Sequence, residues 1–76
     1  MSKLGPIHHT RLEKFAEYVG CVFIRQEGSH KVYWRSDQIR PVIIPQYKEV
    51  PLFIIQNILR QLKISRDEYL QILDKL

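Results

Sequence analysis

A single cysteine, Cys21, is all the thiol chemistry in this 76-residue chain. One thiol closes no internal disulfide, which removes the class of small secreted domains stapled by disulfides and points to a reducing compartment. A nucleophilic cysteine needs a basic partner, and no histidine stands near Cys21 in sequence. It is expected to be a small buried apolar residue beside Gly20. Long hydrophobic runs are also missing. The longest apolar stretches run only three or four residues, as in Val42-Ile43-Ile44 and Leu52-Phe53-Ile54-Ile55, and fall far short of the roughly 20 residues that cross a bilayer. No charged-then-apolar leader opens the sequence, so a cytoplasmic location without a membrane partner is expected. Carboxylates are scarce, eight against twelve Lys and Arg. None are clustered to hold a metal, and neither metal nor cofactor is expected. There is no internal repeat and no low-complexity tract.

What is present describes one small globular domain. Apolar residues make up 45% of the chain, too many for disorder. The length suffices for one core and sits near the limit where a partner helps to hold a fold together. The net charge of +4 is concentrated between Gly20 and Lys48. Arg25, Lys31, Arg35, Arg40 and Lys48 are opposed there only by Glu27 and Asp37. Such a surplus suits a phosphate backbone, and it equally suits a solvated surface that keeps a protein soluble.

Residues 1–9, with Gly5-Pro6, read as a flexible terminal segment, and the adjacent His8 and His9 as a solvated loop rather than a metal pair. Residues 10–76 read as the domain. Thr10 and Glu13 have capping-box spacing, and Leu12, Phe15, Ala16 and Val19 form one helical stripe that Gly20 ends. Three strands follow: 21–26, a turn at 27–29, 30–35, a turn at 36–38, and 39–44, stopped by Pro45. Connections of about three residues imply an antiparallel meander. Apolar residues occupy both parities of the first and third strands, so period does not assign their faces. Pro51 opens a second helix with Leu52, Ile55, Ile58, Leu59 and Leu62 as its stripe. Ser65 and Glu68 cap a third helix carrying Leu70, Leu73 and Leu76. The expected fold is α+β, a single domain of order α-β-β-β-α-α, with a three-stranded antiparallel sheet and helices on one face.

The tract with chemical content is Arg25-Gln26-Glu27-Gly28-Ser29-His30. A glycine turn lets backbone approach a ligand, and its amides with the Ser29 hydroxyl suit a phosphate oxygen. His30 then enters a strand, a rigid mount, and neutral imidazole accepts a proton at cellular pH. Arg25 and Lys31 are near in sequence and offer positive charge to a transition state. A lone histidine at a strand start is also an ordinary surface residue, and these residues permit catalysis without demanding it.

Gly20-Cys-Val-Phe-Ile-Arg-Gln-Glu-Gly-Ser-His30 resembles the signature of the HicA toxin family. The likeness continues in order through Ile44-Pro45, Lys48-Glu49-Val50-Pro51, Ile58-Leu59-Arg60-Gln61 and Ile64-Ser65, covering about residues 10 to 73. The resemblance implies a fold similar to double-stranded RNA-binding domains and an endoribonuclease (an mRNA interferase) that cuts messenger RNA without a metal. It also implies neutralisation by a HicB-like antitoxin, through which an oligomer can assemble. It makes His30 the catalytic residue, with Arg25, Gly28, Ser29, Lys31 and Lys48 as the candidate RNA-binding set. The chain departs from the family pattern at Tyr47, where a histidine is common, at Phe53-Ile54 in place of Gly-Thr, at Cys21, and at Trp34, where a polar residue is usual.

Two further readings use the same residues. One is a non-catalytic double-stranded RNA-binding module in which His30 only binds. The other is an interaction protein in which Trp34, Tyr47 and Phe53 form a partner surface, against the alternative that these aromatics pack in the core.

Overall fold

A computed structural model describes residues 4–76. The element order is α1 (His9–Tyr18), β1 (Val22–Glu27), β2 (His30–Trp34), β3 (Val42–Pro45), α2 (Leu52–Leu62) and α3 (Arg66–Lys75). The three strands form one antiparallel sheet of order β1-β2-β3. The expected α+β domain of order α-β-β-β-α-α is the observed one.

The helical stripes build the core. Leu12, Phe15 and Ala16 of α1, Ile55, Ile58, Leu59 and Leu62 of α2, and Tyr69 and Leu73 of α3 are buried together with Tyr33, Val42 and Ile44 of the sheet. Phe15 and Tyr69 meet edge to face at 4.9 Å between ring centroids, an arrangement favoured by the ring quadrupoles. Helix α1 packs against β1, β3 and α3.

Each helix ends where its sequence can satisfy the exposed backbone. At the end of α1, Gly20 takes φ +98°, and Gly20 N and Cys21 N donate to Glu17 O and Ala16 O, the paired bonds of a Schellman cap. Lys63 closes α2 the same way at φ +58°. Ser65 and Glu68 form the expected capping box on α3, both bonds present. The box expected at Thr10 does not form. His8 is the N-cap instead, its Nδ1 accepting from Thr10 N at 3.2 Å, because the Glu13 carboxylate is drawn away to the sheet. His8 and His9 therefore begin α1 rather than a solvated loop. Of the expected flexible segment, residues 1–3 lie outside the described residues, whereas Leu4 and Ile7 pack against the core and Ile7 pairs with Val50.

Two details explain why strand period gave no faces. Ile24 is a bulge in β1, between the pairs Phe23–Tyr33 and Arg25–Val32, and the extra residue inverts the alternation along that strand. In β3, Val42 and Ile44 face the helices while Ile43 faces away, 40% exposed. The third strand also starts three residues later than expected. Ile39 is 99% exposed, and the 39–41 segment is a bend that Gln61 holds by donating to Arg40 O and Pro41 O.

Candidate active site

The turn before β2 is built by glycine. Gly28 sits at φ +60°, the left-handed region where a Cβ is costly. The Gln26 side chain donates to Gly28 O at 3.0 Å, and Gln46 N donates to Ser29 O at 2.8 Å. This last bond ties the turn to the loop carrying Tyr47 and Lys48. His30 is thereby fixed as the first residue of β2, opposite Glu27 on β1 and Pro45 on β3. Its side chain is exposed and has no hydrogen-bond partner among the described residues, so both ring nitrogens are open to a ligand.

Alternation along β2 then separates the candidate residues. Tyr33 belongs to the core cluster, so Lys31 shares the helix-covered face while His30, Val32 and Trp34 share the opposite one. Lys31 Nζ reaches Glu13 Oε1 at 3.0 Å. Glu13 is a buried carboxylate that also takes His9 Nδ1 at 2.6 Å and Gln46 Nε2 at 3.0 Å. Burial works to raise its pKa, and the hydrogen bonds from His9, Lys31 and Gln46 outweigh burial and hold it below the ordinary glutamate value. This network is a clamp joining α1, β2 and the 46–51 loop directly behind His30.

The five cations of the basic segment fall into two groups. Arg25 pairs with Glu27 on the exposed face of the sheet. Lys31 pairs with Glu13. Arg35 takes both oxygens of Asp37 and donates to Val19 O and Leu62 O, so it is a structural rivet at the ends of α1 and α2. Arg40 and Lys48 alone of the five have side chains with no charged or hydrogen-bonded partner among the described residues. They stand just beyond the two ends of β3, Lys48 towards His30 and Arg40 towards Trp34.

Cys21 is buried, and burial pushes its thiol up from the ordinary value, the opposite of what a nucleophile needs. Among the described residues no three His, Cys, Asp or Glu side chains converge in a metal-binding group, and no helix is long and apolar enough to cross a membrane. Trp34, Tyr47 and Phe53 are all partly exposed, at 38%, 44% and 63%, so none is a core aromatic. Sequence reasoning missed two things. It did not find the Glu13 clamp, although His9 and Glu13 have the i, i+4 spacing that places side chains together on a helix. Nor did it separate Arg40 from its paired neighbours; the Arg-x-Glu and Arg-x-Asp spacings of Arg25–Glu27 and Arg35–Asp37 were the available signal.

A small α+β domain with helices on one sheet face, and behind a glycine turn a histidine with no partner among the described residues, defines a class of compact proteins with an exposed imidazole mounted at the start of the central strand. The family model described as the HicA toxin of bacterial toxin-antitoxin matches residues 10–64, well over half of the chain and including every residue of the turn and of β2. The chain belongs to the HicA toxin family of bacterial toxin–antitoxin systems. No curated protein and no solved structure gives a match.

Proposed function

We propose that the chain is an endoribonuclease that cuts messenger RNA in the cytoplasm, with His30 as the catalytic base, and that a HicB-like antitoxin neutralises it. The observation that carries this reading is the exposed His30 ring, with no hydrogen-bond partner among the described residues, at a position fixed by the Gly28 turn and two neighbouring strands. It rests equally on membership of the HicA family.

In this scheme neutral His30 takes the proton of a ribose 2′-hydroxyl. The 2′-oxygen bonds to the adjacent phosphorus, the bond from phosphorus to the 5′-oxygen breaks, and a 2′,3′-cyclic phosphate remains. The departing 5′-oxygen takes its proton from Tyr47, whose position two residues beyond Pro45 brings it to the same end of the sheet. Gly28, Ser29 and the unpaired Lys48 hold the phosphate. Arg25 and Lys31, each shared with a carboxylate, add positive potential around the strand mouth. The chemistry needs an imidazole and no divalent ion, so chelation leaves the rate unchanged.

The test is cleavage of RNA by the purified chain freed of antitoxin. His30→Ala is expected to lower the rate about 10²- to 10⁴-fold, the usual worth of a general base, without loss of fold. A 2′-deoxy substitution at the cut position is expected to abolish cutting. Wild-type protein that leaves RNA intact, or a His30→Ala protein that cuts as well, overturns the enzymatic reading.

A further inference from the structure

The chain has one tryptophan, and it lies on the same strand and the same face as His30. They are four positions apart, about 13 Å along a β-strand, with Val32 between. No helix covers this face. A concavity of about 340 Å³ opens beside Trp34, walled by Ile24, Arg25, Val32 and Pro41, and Ile24, Trp34 and Ile43 are 50%, 38% and 40% exposed. An apolar strip with an aromatic ring in it marks a contact surface rather than a solvated one.

Charge decides what the strip contacts. Of the basic segment, the two cations whose side chains have no partner among the described residues flank β3 in sequence, Lys48 after its His30 end and Arg40 before its Trp34 end. Arg40 lines a groove between the start of β3 and α2 with Ile43, Asn57 and Gln61. Successive bases with a phosphate at each end match an aromatic floor between two free cations. A duplex does not, because its bases are stacked on one another and present no free face.

We propose that this sheet face is a subsite for single-stranded RNA. A base flanking the scissile phosphate stacks on Trp34, and Arg40 takes a phosphate beyond it. The subsite rests on the reading of the chain as an RNA-cutting enzyme and adds to it the strandedness of the substrate and a residue that holds the nucleotide beside the cut.

The His30→Ala protein binds RNA without cutting it, and Trp34 is the only indole, so its emission reports on the subsite alone. Titration with a short single-stranded oligoribonucleotide is expected to quench that emission to saturation, and a duplex of the same length is not. Trp34→Ala is expected to weaken binding of labelled single-stranded RNA about 5- to 100-fold, with Trp34→Phe recovering most of the loss. The aromatic replacement guards against a merely structural effect of removing the ring. With His30 intact, the Trp34→Ala penalty falls mainly on KM. Arg40→Gln is expected to weaken binding and to lower the salt dependence by about one counterion.

Emission that does not move at saturating RNA, binding unchanged in Trp34→Ala, or quenching by an acidic protein but not by RNA each overturns the subsite. The two readings fail separately. Wild-type cleavage without quenching sinks the subsite and leaves the enzyme. Quenching by RNA with no cleavage sinks the enzyme and leaves the subsite.

Discussion

Lys31 and Glu13 close an ion pair of 3.0 Å between β2 and α1, which places Lys31 behind the sheet while its neighbour His30 stands in front of it. The basic residue adjacent to the candidate base is thus committed to holding the helix against the strand. The Glu13 carboxylate also anchors His9 and Gln46, and the pKa held below the ordinary value makes folding sensitive to acid. A folded-state pKa below the unfolded one means that the unfolded chain binds the proton first as pH falls. The stabilisation is therefore complete above the unfolded glutamate value, about 4.5, and is lost as pH drops through the lower folded value. Glu13→Gln is expected to cost about 2 kcal/mol at pH 7, in the range for hydrogen bonds to charged groups, and to flatten the acid limb of a plot of Tm against pH. An acid limb as steep in the variant as in wild type argues that the clamp does not couple to folding.

Arg35 gives a second prediction. One guanidinium donates to Val19 O and Leu62 O and holds Asp37, keeping that carboxyl below its usual range. The Val19 and Leu62 carbonyls lie past the last backbone donors of α1 and α2, where a side-chain donor is needed. Lysine has one ammonium on a flexible stem and does not reproduce this fork. Urea denaturation is expected to show Arg35→Ala less stable by about 2 kcal/mol, with Arg35→Lys recovering less than half. Full recovery by lysine means that charge alone, rather than the planar geometry, is what Arg35 supplies.

Much of this arrangement was legible in the sequence. The helix stripes, the α3 capping box, the Gly20 terminator and the glycine turn before His30 each follow from residues a few positions apart, and each is found. What could not be read depends on partners distant in sequence. Glu13 was assigned to a local cap with Thr10 because both have the right spacing, but Lys31 and Gln46, 18 and 33 residues away, offer the carboxylate charge and shelter that a solvated cap does not. The same holds for the third strand. Ile39 carries the β-branched signature of a strand, yet Pro41 two residues on donates nothing to a ladder, and pairing begins only at Val42, opposite Tyr33.

Gly28 gives a third prediction, one that separates strain from space. An added Cβ meets no atom within 4 Å, so only the left-handed backbone at φ +60° penalises a side chain. That penalty is roughly 1–2 kcal/mol for most residues and smaller for asparagine. Gly28→Asn is expected to leave both stability and RNA cleavage near wild type. Gly28→Val is expected to lose about 2 kcal/mol and to lose cleavage out of proportion, because relief of the strain shifts the turn that sets His30. Equal losses of cleavage in the two variants mean that the phosphate held at the turn leaves no room for any side chain at residue 28, and that backbone strain is not what matters there.

Tyr69 is the one residue whose removal of function is expected to help. Its ring is nearly fully buried against Phe15, and its hydroxyl has no hydrogen-bond partner among the described residues. A buried donor left unpaired costs about 1–3 kcal/mol, and phenylalanine keeps the ring contact without the hydroxyl. Tyr69→Phe is therefore expected to be neutral or to raise stability by about 1 kcal/mol. Burial also pushes the Tyr69 pKa up to about 12 from 10.0, and burial raises Tyr33 likewise to about 12. With folded values above unfolded ones, the unfolded chain releases its phenolic protons first as pH rises. The stability is complete below about pH 10 and drains away as pH climbs through the folded value. In Tyr69→Phe one of the groups whose pKa burial raises is gone and Tyr33 and Cys21 remain, so the alkaline limb of unfolding is expected to become shallower. A variant less stable than wild type at pH 7, with an unchanged alkaline limb, shows instead that the hydroxyl is satisfied by a water molecule and contributes to the core.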